Sequence, residues 1–283
     1  MKQIMLITDG CSNVGVSPVV AAAHAREEGI TVNVVGVVDH GTIGELGAAE
    51  IEQIARAGGG MSRIVQPHQL SQTIQMMTRK TVVQTIQHAV NRELQQILGS
   101  RGSDGERGVS GSAASGTVEK AAENPYAKES GAYPGGAASV EELPPEQRAQ
   151  VVRVMDELSE TTPLKVALII DASASMKPKL AAVEEAIRDL MLSLQAREGR
   201  SEMAVFHFPG PRSSDETVLD LDWTSDLSGV RSIFHRIQMK GATPTGPAIF
   251  KVIDFYQYDK LNGNRHGTSN GTETDGIFGD YVV

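Results

Sequence analysis

Lys165 to Met176 reads KVALIIDASASM, and this stretch decides the fold. Residues 165–170 form a short run rich in Val, Ile and Leu, the pattern of a strand covered on both faces. At Asp171 the character changes. Asp171, Ser173 and Ser175 place an oxygen-bearing side chain at every second position. The set offers hard oxygens, with neither thiolate nor imidazole. That suits Mg²⁺ or Mn²⁺, with Ca²⁺ a further candidate, rather than zinc.

Downstream, Pro178 to Arg197 carries Leu180, Val183, Ile187, Leu190, Met191 and Leu194 on one helical face. Lys177 and Lys179 read as solvated charges at the start of that helix. Glu202–Phe208 and Glu216–Leu221 are expected strands. The short turn between them makes them antiparallel and one of them a sheet edge. Asp226–Met239 is an expected helix. Gly241 to Pro247 (GATPTGP) then leads into a helix over Pro247–Tyr256. The tail, 259–283, is Gly- and Asn-rich and expected to be loosely ordered.

Upstream, Lys2–Thr8 is an expected buried strand ending at Thr8-Asp9-Gly10. A helix from Pro18 to Glu28 follows, with Ser17 as its cap. Then come a strand over Thr31–Val38, a helix over Ala48–Ala57, the triplet Gly58-Gly59-Gly60, a strand over Ser62–Val65 and a long helix over Gln69–Leu98. Strand, helix, strand, helix, strand, helix is half of a doubly wound α/β sheet. Residues 99–146 turn to Gly, Ser, Ala, Pro and Glu and lose hydrophobic periodicity, as a flexible linker does. A short amphipathic helix of unassigned purpose runs from Glu146 to Leu158.

Composition bounds the function. Of 283 residues, 40% are hydrophobic, enough for a core. A net charge of −9 supplies no basic field for phosphates, so nucleic-acid binding is not expected. One cysteine, Cys11, excludes an intrachain disulfide and a Cys-rich metal site. No apolar run approaches a signal-peptide core or a membrane span, so a cytoplasmic protein is expected.

The Asp171-x-Ser173-x-Ser175 loop resembles the signature of von Willebrand factor type A (VWA) domains. GATPTG resembles the family's Gly-x-Thr-x-Thr-Gly loop, and IMLITDG, with Asp9, resembles the end of its strand 4. The resemblance is to the intracellular bacterial type. It implies a six-stranded, mostly parallel Rossmann-like sheet of family order 3-2-1-4-5-6, with helices on both faces. It also implies a metal-ion-dependent adhesion site (MIDAS) formed by Asp9, Asp171, Ser173, Ser175 and Thr243, with Thr245 as a supporting hydroxyl. Ala174 stands where many intracellular members have Gly.

The order of the pieces is reversed. Residues 1–98 match family strands 4–6, and 147–258 match strands 1–3 behind the linker at 99–146. A circularly permuted monomer and a dimer with exchanged halves both account for this.

The resemblance implies metal-dependent recognition of a protein partner that supplies a carboxylate to a divalent cation. A scaffold with a structural metal is an alternative. A metal-dependent phosphatase or phosphotransferase is a weaker one, because residue 173 is Ser where an Asp-x-Asp pair needs Asp, and no P-loop is present. No enzyme is expected. The seven histidines are scattered and read as surface or satisfied interior residues, and Cys11 as a small loop residue.

Overall fold

β-branched and aliphatic runs alternate with helix formers, and the chain follows that alternation. A computed structural model describes residues 1–10, 12–38, 45–101, 140, 144–213, 216–226, 229–234 and 236–263. Cys11, His40, His235, His266, most of the 99–146 linker and the tail beyond 263 lie outside them. In order, the elements are β1 (Lys2–Thr8), α1 (Pro18–Glu27), β2 (Ile30–Val37), α2 (Glu45–Ala57), β3 (Gly59–Val65), α3 (Leu70–Arg101), α4 (Pro145–Thr161), β4 (Leu164–Asp171), α5 (Leu180–Gln195), β5 (Ser201–Phe208), β6 (Val218–Thr224), α6 (Val230–Phe234) and α7 (Thr245–Gly263). Short 3-10 turns at Pro67–Gln69 and Ala174–Lys179 precede α3 and α5.

The chain divides into two units, Met1–Val82 with Glu160–Val283, and Val83–Ser159. The first holds a six-stranded sheet in the order β3-β2-β1-β4-β5-β6, parallel except for β6. It is a doubly wound α/β sheet, and strand order reverses between β1 and β4, where such folds open a crevice at the strand C-termini. The two sequence halves meet within one chain along that seam. Lys2 pairs with Lys165 and Ile7 with Ile170. Of the second unit, α4 carries no buried residue, and its Val152 and Val154 are exposed.

One face of the sheet is covered by small and aliphatic residues of α1, α2 and α7, among them Ala21, Ala22, Ile51, Ile54, Ile249 and Val252. Tyr256 of α7 is fully buried there. Its hydroxyl sits 2.7 Å from Gln3 O and 3.0 Å from Lys165 O, tying the first turns of β1 and β4 together. The opposite face buries Leu70, Ile74 and Met77 of α3 and Val183, Ile187 and Leu190 of α5. Its polar side chains are partnered in part: Gln3 Nε2 donates to Thr78 O at 3.3 Å, while Gln3 Oε1 and Thr78 Oγ1 have no partner among the described residues. Asn33 of β2, wholly buried, accepts from Met61 N at 2.9 Å and bonds Thr81 Oγ1 at 3.0 Å.

Several boundaries differ from the sequence reading. The expected helix over Asp226–Met239 shrinks to α6. The helix expected from Pro178 begins at Leu180, because Pro178 falls in the 3-10 turn. β6 overlaps the expected strand but begins two residues and ends three residues later, and α7 extends past Tyr256 to Gly263. Ser17 flanks α1 without a side-chain cap bond. Gly59 and Gly60 lie inside β3 rather than before it, and a Cβ on Gly60 would come within 2.2 Å of Val32 O.

Candidate metal centre

β1 and β4 end side by side, and the candidate residues sit on the loops just beyond. Asp171, the last residue of β4, is fully buried. Its Oδ2 accepts a 2.6 Å hydrogen bond from Thr8 Oγ1, at the end of β1. Its Oδ1 accepts from Ser173 N at 2.8 Å, which folds the loop back over the carboxylate. Burial pushes the Asp171 carboxyl above the usual carboxylate range. The Thr8 and Ser173 hydrogen bonds pull it down, and the charge of Asp9 adds to the upward push.

From there a line of oxygens crosses the seam. Ser173 Oγ lies 3.1 Å from Ser175 Oγ, and Ser175 Oγ donates to Asp9 Oδ1 at 2.8 Å. Asp9, Asp171, Ser173 and Ser175 are thus brought together from opposite ends of the chain. Magnesium holds about six oxygens at about 2.0–2.1 Å, so neighbouring ligand oxygens stand about 3 Å apart. The spacings along this line have that size, and the donors are hydroxyl and carboxylate oxygens alone. The residues fit a small hard cation. Among the described residues no cluster of three or more His, Cys, Asp or Glu side chains forms.

Thr243 reaches the same edge through its backbone. Ala174 N donates to Lys240 O at 2.8 Å and Lys240 N to Ala172 O at 3.1 Å, which pins the 240–243 segment to the Asp171 loop. On the other side, Thr243 N donates to Asn13 Oδ1 at 2.8 Å, and Asn13 N and Ser12 Oγ both donate to Thr243 O at 3.2 Å. Ser12 N in turn donates to Glu50 Oε2 at 2.7 Å, and burial raises the Glu50 carboxyl above its ordinary value. Thr243 and Thr245 are both buried. The second glycine of the GATPTG loop has a steric reason: a Cβ on Gly246 would come within 2.0 Å of Val16 O, whereas one on Gly241 would meet open space.

Sequence reasoning gave no role to Thr8, although it lies within the IMLITDG motif, and missed Ser12, Asn13 and Glu50, which position the candidates without belonging to any motif. Only the adjacency of Thr8 to Asp9 and of Ser12 and Asn13 to the strand end hinted at them. Lys179 is a correction. It does not lie on a solvated face. It is 7% exposed, and its Nζ is ion-paired with Asp9 Oδ2 and lies 3.2 Å from Ser175 O. The 3-10 turn at Ala174–Lys179 swings its stem inward, and an ideal helix from Pro178 would not have suggested that. His207 is a satisfied interior residue, its Nδ1 2.6 Å from Asp220 Oδ2 beside a cavity of about 230 Å³.

No family model matches the chain. The sequence is 41% identical over 265 residues to the uncharacterized protein YabS of Bacillus subtilis (strain 168), covering 94% of this chain and 92% of that protein. A crystal structure of an uncharacterized protein from Alicyclobacillus acidocaldarius is 38% identical, with a TM-score of 0.75 over 93% of this chain and 96% of that one. Two structures of proximal thread matrix protein 1 from the mussel byssus, one with zinc in its MIDAS motif, are 13% identical. Their TM-scores of 0.22 and 0.23 are too low to carry an argument.

Proposed function

The chain belongs to the family of Bacillus subtilis YabS, and from that premise we propose that it is a circularly permuted VWA domain whose MIDAS-type site recognises a carboxylate of a partner protein. The line of oxygens from Asp9 through Ser175 to Ser173 carries the reading, since its spacings suit one small cation shared between the chain's two halves. Ser173 and Ser175 would bind the cation directly. Asp9 and Asp171 would hold it largely through water, and Thr243 would close the set.

A divalent ion with so few directly bound anions keeps an open, electrophilic position that a carboxylate can fill. The chain's own residues shape that position. Thr8 and the Ser173 amide occupy both Asp171 oxygens, which keeps that carboxylate in the outer layer. Asn13 and Lys240 hold the Thr243 loop at the rim. Mg²⁺ suits the set best, with Mn²⁺ and Ca²⁺ next. In this reading the protein is a cytoplasmic monomer that is not an enzyme, with neither nucleic acid nor membrane among its partners. No helix among the described residues is long and apolar enough to cross a membrane. A second reading, a scaffold without partner binding at this edge, draws on the ammonium of Lys179 already seated on Asp9.

The test is thermal unfolding after chelation, with Mg²⁺, Mn²⁺ or Ca²⁺ titrated into wild type and into Ser173→Ala/Ser175→Ala. Light scattering gives the mass and so separates monomer from exchanged dimer. Water-proton relaxation of bound Mn²⁺ then reports whether an added acidic peptide displaces coordinated water. Stabilisation of the wild type alone, with water displaced by the peptide, is the expected result. No stabilisation of the wild type by millimolar metal would sink the reading, and metal binding without water displacement would leave the scaffold.

A further inference from the structure

Lys179 sits where an ordinary cation site has no cation of its own. It closes the 3-10 turn that begins at Ala174, so its stem rises from the same loop that presents Ser173 and Ser175. Its ammonium reaches the Asp9 carboxylate, and the Ser175 hydroxyl binds the other oxygen of that carboxylate. The side chains of Lys179 and Asp9 are 9% and 4% exposed, so water screens the pair little. Among the described residues the ammonium's polar partners are Asp9 and Ser175, both of the candidate cation set.

We propose, resting on the cation-site reading above, that Lys179 is an internal counter-cation that a divalent ion must displace from Asp9, and so sets the affinity of the site. The charges make the case. With both ionised, Asp9 and Asp171 bring two negative charges to one buried edge. Lys179 leaves one of them uncompensated. A divalent ion beside a seated Lys179 would give a net positive charge next to two side chains that are themselves only 9% and 4% exposed, although Ser175 is open to solvent, and like charges so placed repel. A divalent ion with Lys179 swung out gives neutrality. The lysine stem is long and flexible enough for that swing, and its head is readily hydrated once outside. The two states are thus alternatives, ammonium in or metal in. Metal entry then releases an ammonium at the very rim where a partner carboxylate would dock, giving that carboxylate a second positive group to meet.

The test is isothermal titration of Mg²⁺ and of Mn²⁺ into chelator-treated wild type, Lys179→Met and Ser173→Ala/Ser175→Ala. Removing the competitor is expected to tighten metal binding about tenfold or more in Lys179→Met, with binding absent in the serine double variant. Wild type is also reductively methylated with ¹³C-formaldehyde, with and without Mg²⁺, and Lys179 is followed by peptide mapping. It is expected to be protected without metal and to become reactive with it. That readout serves even where Lys179→Met fails to fold. Equal metal affinity in wild type and Lys179→Met overturns the inference and leaves the cation site standing. So does unchanged protection of Lys179 in the metal-bound protein. Absence of metal binding in both wild type and Lys179→Met overturns the cation site and the inference together.

Discussion

Asp9 and Asp171 end neighbouring parallel strands, yet the chain treats them differently. Asp171 is fully buried and meets neutral donors, the Thr8 hydroxyl and the Ser173 amide. Asp9 is nearly as deep but meets a full positive charge in Lys179. One carboxylate is held by geometry, the other by charge. The difference teaches where exchange can happen. Hydrogen bonds from a strand end and a loop backbone are fixed by the fold, whereas a lysine head can leave and return. Asp171 is therefore the anchor of the edge, and Asp9 the side that trades partners.

The most severe way to break this contrast is to strand the lysine. Asp9→Ala removes the counter-charge of the ammonium, and should cost up to about 3–5 kcal/mol of stability in chelator, reduced by whatever the lysine head regains in swinging out to water. The Asp9→Ala/Lys179→Met double variant should recover most of that loss. Urea unfolding of wild type, both singles and the double gives the coupling directly, and additive losses would remove charge as the basis of the Asp9 side.

The Asp171 side is tested more gently. Thr8→Val keeps the shape at the end of β1 and deletes the 2.6 Å donor to a buried carboxylate, with an expected cost of about 1.5–3 kcal/mol by the same measurement. A cost near zero would mean that geometry does not hold Asp171.

The smallest expected effect sharpens the comparison through pH. The folded state raises the Asp171 carboxyl above its ordinary value of 3.8, so the native protein takes up a proton there before the unfolded chain does. Stability from this group is fully present below that ordinary value and is lost as pH rises from it through the raised folded value. The stability of wild type relative to Asp171→Asn should therefore shift in favour of wild type as pH falls through that window. Glu50, also raised, is common to both proteins and cancels.

Much of this was legible in the sequence for a simple reason. Fully covered parallel strands are written as unbroken Val, Ile and Leu, so β1, β2, β4 and β5 could be read within a residue or so. The candidate residues could be named only through the resemblance of their loops to VWA motifs, since an Asp-x-Ser-x-Ser turn after a strand is common by itself; the structure brings Asp9, Asp171, Ser173 and Ser175 to one edge. What stayed hidden depends on turns. Pro178 suggested a helix start, yet it sits inside a 3-10 turn that rotates Lys179 inward. Three glycines in a row suggested a helix end ahead of a strand that starts at Ser62, yet Gly59 and Gly60 are in β3, where a Cβ on Gly60 would run into Val32 O. Residues 226–239 carried helical spacing, but α6 keeps only its central turn. Asn13 has no periodic signature, since its role is to receive one amide from a loop 230 residues away.

The β1–β4 seam also sets a clock. Lys2 waits for Lys165 and Ile7 for Ile170, so each pair joins residues 163 positions apart. At ribosomal rates of about 5–20 residues per second, β1 is made about 8–30 s before the strand it must join. Through that interval β1 can pair only with β2, on its other edge, and the seam carries a large loop-closure cost before it gains any contact. Asp9 meets Ser175 and Lys179 only when the seam has closed. A nascent or truncated chain therefore carries every N-terminal part of the site and none of its chemistry, and the edge comes into being as the last half of the protein is finished.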